Sequence, residues 1–125
     1  MNILSNLEKV INSELTTKVK STKIKHKHLC INVENENLLE VVLFLKNNNQ
    51  TKFKQLIDIT AVDYPANEKR FKIVYLFLSH EFNSRILLDF YINENEIVES
   101  LTSVFPSSNW MEREVFDMYG IKFKD

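Results

Sequence analysis

The sequence predicts an α+β fold: a single domain with helices packed on a mostly antiparallel sheet and a short helix at its end. Three observations carry this prediction. Residues 2–16 repeat apolar side chains at helical spacing. Residues 53–62, 71–79 and 85–92 are strand-like, and the connections between them are short enough for antiparallel hairpins. Residues 109–123, reading NWMEREVFDMYGIKF, carry a start signal and a stop signal for a helix. The chain has 125 residues, which suits one domain burying well over half of its unfolded surface.

In the first helix the repeat is Ile3, Leu4, Leu7, Val10, Ile11 and Leu15. Lys9 is its lone basic residue, against Glu8 and Glu14, which favours packing on its own sheet over a membrane surface. Residues 17–34 read as extended chain, with Lys23, Lys25 and Lys27 on one face and Ile24, His26, His28 and Cys30 on the other. Lysines along a strand protect an exposed sheet edge. At Leu29, Ile31 and Val33 the apolar phase moves to the former lysine face, which predicts a bulge or an edge leaving its cover.

Asn37 is placed to cap a helix over 38–47, whose run Val41-Val42-Leu43-Phe44-Leu45 predicts burial nearly all round. Asn47-Asn48-Asn49 is expected to end it, because asparagine tolerates left-handed geometry. The strand at 53–62 runs into Asp63-Tyr64-Pro65, where proline stops the ladder. Residues 71–79 are apolar on both faces, as in a central strand, whereas Arg85 and Asp89 leave the strand at 85–92 one wetter face. Ile97, Leu101, Val104 and Phe105 predict a further short helix, closed by Pro106.

The last helix is the most informative stretch. Asn109 and Glu112 have the spacing of a capping box, and Gly120, the only glycine in the chain, supplies a left-handed end. At about 100° per residue, Met118, Met111, Val115, Tyr119 and Phe116 make one broad apolar arc with Glu112 inside it. Trp110 lies on the other side beyond Glu114, while Arg113 and Asp117 share what remains. That is too much aromatic surface for one buried stripe, so two covering partners are expected: the helix's own domain and something else. The competing reading is a well-capped core helix in which Glu112 bonds back to its own N-cap.

Composition narrows the function classes. A net charge of −1 gives no global reason to expect nucleic acid. The lysines of 17–34 also lack the interleaved aromatics of a strand-tracking groove. The single cysteine, Cys30, excludes an intrachain disulfide and cannot by itself hold an iron–sulfur cluster. His26, His28 and Cys30, with His80 as a distant fourth, have ligand chemistry but lack the second pair of a zinc site, and no metal is expected. One glycine permits no glycine-rich phosphate loop, no serine or cysteine has a triad-like setting, and Asp58 and Asp63 point to opposite strand faces. No catalytic, cofactor-binding or metal-binding residue is therefore assigned. No apolar run approaches the 18 or so residues of a membrane span, and Glu8 argues against an acid-poor transit peptide. Only three of sixteen basic residues are arginine, while asparagine, lysine, isoleucine and phenylalanine are abundant, the codon bias of an AT-rich genome.

Glu112-Arg113-Glu114, Phe116, Asp117-Met118-Tyr119-Gly120-Ile121 and Phe123 resemble the signature of one family. That family is the 30-kDa subunit of respiratory complex I, also known as its C-subunit, or NADH dehydrogenase subunit nine in mitochondrial genomes. The resemblance extends through Leu56-Ile57-Asp58-Ile59-Thr60-Ala61-Val62-Asp63-Tyr64-Pro65 and Arg70-Phe71-Lys72-Ile73-Val74-Tyr75. It implies a non-catalytic core subunit in the peripheral arm of NADH:ubiquinone oxidoreductase, with NADH, FMN, iron–sulfur clusters and ubiquinone held by partner subunits. The implied partners are the 49-kDa quinone-site subunit and the ferredoxin-type iron–sulfur subunit. Glu112, Arg113, Asp117 and Tyr119 match the signature and become interface candidates, joined by Trp110 and Phe116 for their aromatic surface. Asn109 and Gly120 are the structural ends.

With an AT-rich gene, the resemblance implies a mitochondrially encoded protein peripheral to the matrix side of the inner membrane. The alternative is the cytoplasmic side of a bacterial membrane. Family members continue past Ile121-x-Phe123 with a His-Pro-Asp-Leu-Arg-Arg run and an extended tail, whereas this sequence stops at Lys124-Asp125. Another polypeptide, either the remainder of a split C-subunit that supplies the missing C-terminal part or the quinone-site subunit, is accordingly expected to cover the second side of the helix. Two other functions stay open on sequence: the equivalent subunit of a complex I-related membrane-bound hydrogenase, and a stand-alone RNA-binding domain using the lysines of 18–27.

Overall fold

The computed structural model describes residues 3–124, and of Ile3 the backbone alone. The expected helix start at Asn2 and the place of Ile3 in the apolar stripe lie outside what is described. Among the described residues, the chain builds α1 (Ile3–Glu14), β1 (Val19–Lys25), β2 (His28–Val33) and α2 (Leu38–Asn47). It continues with β3 (Gln55–Asp63), β4 (Phe71–Ser79), β5 (Ser84–Ile92) and α3 (Ser108–Tyr119). The strands form one sheet in the order β1-β2-β5-β4-β3. Every neighbouring pair is antiparallel except β2 and β5. This is the α+β architecture that the sequence predicts.

One face of the sheet makes the core. Leu29, Ile31, Ile73, Tyr75, Ile86, Leu88 and Phe90 are fully buried there against Ile11 of α1 and Leu38 and Val41 of α2. Alternation puts the intervening side chains on the opposite face, and none of the three helices covers it. The β4 strand is interior, flanked by β5 and β3 as its apolar composition predicts. Its second apolar face, however, is only partly buried.

The extended stretch at 17–34 is two strands, not one. His26 and Lys27 turn the chain with φ of 52° and 66°, the positive pair that a two-residue hairpin of matching twist requires. The phase change at Leu29 is therefore the hairpin itself, and it corrects the expected bulge or loss of cover. It also takes His26 and Lys27 out of the alternation, so His26 does not share a strand face with His28 and Cys30.

Three local expectations in the middle of the chain are corrected. Asn37 precedes α2 but its side chain makes no capping hydrogen bond; a short 3-10 turn, Asn35–Asn37, leads into the helix instead. The α2 helix is not buried all round, because Leu43 is exposed while Leu38, Val41, Val42 and Leu45 form its inner stripe. Its end is not left-handed: Asn48 is extended, and the turn is made by its Oδ1, which accepts the Gln50 N–H at 2.8 Å. The expected helix around Ile97–Phe105 is also absent. Residues 101–105 make a compact turn, with the Phe105 N–H bonded to the Leu101 carbonyl at 2.7 Å. Val98 leaves it to form a parallel bridge with Phe123.

Candidate interaction surface on the C-terminal helix

The α3 helix is fastened to its domain along one stripe. Ser108, Met111, Glu112 and Val115 are buried, and Tyr119 meets the Phe71 ring edge-on at 6.2 Å between centroids. Past the helix, Gly120 turns the backbone at φ 73°, and the Val98 N–H bonds to the Lys122 carbonyl at 2.9 Å. The expected left-handed end is thus present, although no added Cβ would touch a neighbour there. Glycine is used for backbone conformation alone.

Glu112 behaves differently from either reading of its role. It does not bond back to an N-cap: Asn109 is the second helical residue, and the cap position falls on Ser107, without a side-chain cap bond. One carboxylate oxygen accepts the Ser100 hydroxyl at 2.7 Å. The other accepts the Leu101 backbone N–H at 2.8 Å and the Ser108 hydroxyl at 2.6 Å. A buried carboxylate normally needs a cation or several donors, and here three donors satisfy it. Glu112 is therefore an internal staple between α3 and the 98–105 turn. Neither Ser100 nor Ser108 is marked out by the sequence as a functional residue. The Ser108-x-x-x-Glu112 spacing is the signal that could have found one of them.

The rest of the helix faces outward. Trp110 is 58% exposed, Phe116 46% and Met118 69%. Within the apolar arc, Met118 and Phe116 thus lie outside the stripe that the domain itself buries. Trp110 and Phe116 point to different sides, and Arg113, Glu114 and Asp117 are exposed between them. Phe116 borders a groove of about 370 Å³ whose other walls are Asn109, Glu112, Arg113, Lys122 and Phe123. Among the described residues, no carboxylate pairs with Arg113 or Lys122. The groove is therefore lined by two aromatic rings, Phe116 and Phe123, and by the cations Arg113 and Lys122 beside the already bonded Glu112 carboxylate. The sequence did not reveal Lys122 and Phe123 as its wall, because the Val98–Phe123 bridge that positions them is a tertiary contact.

The remaining candidates are dispersed. Burial and the Asp89 carboxylate hold the Cys30 thiol above its ordinary range, against the pull of Lys25, Lys72 and Lys23. The His80 ring bonds to the Gln55 side chain at 2.7 Å, and no three His, Cys, Asp or Glu side chains converge among the described residues. No described helix is long and apolar enough to cross a membrane.

Fold and surface together define a single-sheet α+β domain whose last helix is stapled inward by a carboxylate and presents aromatic side chains outward. By sequence this chain belongs to the family of the respiratory-chain NADH dehydrogenase 30-kDa subunit, whose model matches residues 31–125. It is 52% identical over 95 residues to the NADH-quinone oxidoreductase C-subunit of Ruegeria pomeroyi, covering 76% of this chain and 48% of the relative. With the corresponding C-subunit of Mesorhizobium japonicum it shares 40% over 120 residues, covering 96% and 60%. With the mitochondrial NADH dehydrogenase [ubiquinone] iron-sulfur protein 3 of Candida albicans it shares 46% over 96 residues, covering 77% and 34%. The chain thus spans roughly half the length of the curated relatives it matches. Its fold also matches, at a TM-score of 0.81 and 19% identity, a chain in the membrane-bound sulfane sulfur reductase, an archaeal respiratory membrane complex. That match covers 96% of this chain and 69% of the other.

Proposed function

We propose that this chain is a non-catalytic core subunit of the peripheral arm of NADH:quinone oxidoreductase, and that α3 is a docking surface within that assembly. The observation that carries the proposal is the placement of the family signature. Its buried member Glu112 anchors the helix, while Arg113, Phe116 and Asp117 remain available to a neighbour. Aromatic and arginine side chains of this kind dominate the energetics of protein interfaces. The names of the bacterial and mitochondrial relatives support the assembly. The quinone-site and ferredoxin-type subunits are the neighbours proposed, and NADH, FMN, iron–sulfur clusters and quinone are assigned to other chains. The proposed location is peripheral, on the matrix side of a mitochondrial inner membrane or the cytoplasmic side of a bacterial one.

The test is a native gel of membranes stained for NADH oxidation, followed by mass spectrometry of the active band. Peptides of this chain are expected in the band at the stoichiometry of the other core subunits. Their absence from it, with the chain recovered elsewhere as a free monomer, would overturn the assignment.

A further inference from the structure

The sheet face turned away from the helices carries an apolar strip on β4 and β5, bordered on β3 by Gln55, Asp58 and Thr60. The pairing register places Leu87 of β5 beside Leu76 of β4, and Asp89 beside Val74. Leu78 stands beside Arg85, and Tyr91 and Val62 flank Lys72 on either side. Tyr64 closes this end, its ring 6.2 Å from that of Tyr91. Ile57, Val62, Tyr64 and Tyr91 are each at least a third exposed. A sheet face meant for water would alternate polar residues here, and β4 instead presents Val74, Leu76 and Leu78.

Charge on this face is one-sided. Lys23 stands opposite Cys30 and Lys25 opposite His28, while Cys30 pairs with Leu87. The same parallel register sets His28 next to Arg85. Among the described residues, Lys23, Lys25 and Arg85 have no carboxylate partner. The two carboxylates of the face are already engaged. Asp89 accepts the Asn32 amide at 2.6 Å and lies 3.8 Å from the Lys72 ammonium, and Asp58 accepts the Ile59 N–H at 2.9 Å. An apolar strip across β4 and β5 thus ends at a corner of unpaired cations.

We propose that this open face docks an acidic amphipathic helix of another polypeptide, its apolar stripe on Leu76, Leu78 and Leu87 and its carboxylates toward Lys23, Lys25 and Arg85. The dimensions fit. Three adjacent strands span about 10 Å, the diameter of one helix. From Leu78 to Lys72 the strand rises about 20 Å, matched by roughly 13 helical residues. A helix there would give the sheet the second covering layer that its apolar face lacks. Nucleic acid fits less well, because the cations occupy one corner and phosphates would lie on leucine and valine. The proposal concerns a different face from α3 and does not depend on the role given to that helix.

The test is site-specific photo-crosslinking in the parent assembly, in native membranes. Leu87 and, in a separate variant, Tyr91 are replaced by benzoylphenylalanine, and cross-linked peptides are sequenced. The expected product joins this chain to a segment of another polypeptide that carries more Asp and Glu than Lys and Arg, with apolar residues at helical spacing. Lys23→Glu/Lys25→Glu should lower the yield severalfold, and Lys23→Gln/Lys25→Gln should lower it less. Product with lipid, with nucleic acid, with a second copy of this chain or with a basic segment would overturn the proposal. So would no intermolecular product from either position, or a yield indifferent to both charge variants in protein that melts normally.

Discussion

The carboxylate of Glu112 accepts the backbone N–H of Leu101 at 2.8 Å, tying the C-terminal helix to the turn that precedes it. The same group takes up the hydroxyls of Ser100 and Ser108. Replacing Glu112 with glutamine keeps the shape but sets an NH2 group against donors. Glu112→Gln should therefore lower stability by about 2–3 kcal/mol, read from the midpoint of urea unfolding. An unchanged midpoint would mean that the carboxylate is not held as the structure has it.

Trp110→Ala and Phe116→Ala should separate folding from assembly. Both side chains are largely outside the core, so each variant should melt within about 0.5 kcal/mol of the parent. On a native gel both should reduce incorporation into the large complex. Arg113→Ala should do the same where a neighbour's carboxylate would be left buried alone. Normal incorporation of all three variants would remove α3 as a docking surface.

Gly120→Val should destabilise the domain by at least 1–2 kcal/mol, roughly the cost of a side chain in left-handed geometry. Because a Cβ there meets no neighbour within 4 Å, the Cβ adds no tertiary clash to that backbone cost. Gly120→Asn should accordingly recover part of it, since asparagine tolerates positive φ. Equal melting temperatures for the two variants would contradict this account.

The link between β3 and β4 should be sensitive to acid. Arg70 grips Asp63 through two bonds of 2.7 and 2.9 Å, holding the Asp63 carboxyl below its ordinary 3.8. A depressed carboxyl stabilises the folded state above the unfolded pKa and loses that contribution as pH falls through the folded one. The Asp63→Asn variant should therefore show a shallower loss of stability than the parent below about pH 4. Parallel acid-unfolding curves in that range would refute the linkage.

Tyr75 predicts the opposite limb. Its hydroxyl is buried without a hydrogen-bond partner among the described residues, and burial, reinforced by the Glu112 carboxylate, raises its pKa well above 10.0. The folded chain keeps this proton while the unfolded chain loses it, so stability should decline as pH rises past 10. Tyr75→Phe removes both the titration and an unsatisfied buried hydroxyl. It should leave stability at neutral pH unchanged or raise it by about 1 kcal/mol, and should flatten the alkaline decline. A marked loss at neutral pH would show that the hydroxyl has a partner.

What the sequence determined by itself was local in origin. The antiparallel hairpins around 66–70 and 80–84, the limits of β4, the interior position of that strand and the left-handed glycine after α3 all follow from periodicity and turn chemistry. The family signature was equally legible, because it is a contiguous run of residue identities. Tertiary structure decided where each helix turned its faces. The apolar arc of α3 is wider than the stripe its own domain covers, since periodicity records which residues are apolar and not how far the domain reaches around them; Phe116 and Met118 fall beyond that reach. Glu112 looked like a partner of its own N-cap, yet its donors are Ser100, Leu101 and Ser108, two of them brought to it by the turn before the helix. The open sheet face was hidden for the same reason. Val74, Leu76 and Leu78 suggest a strand covered on both sides, and the placement of all three helices on one side leaves that second face uncovered. A strand's sequence encodes its two faces, but only the packing of distant helices decides which of them is closed.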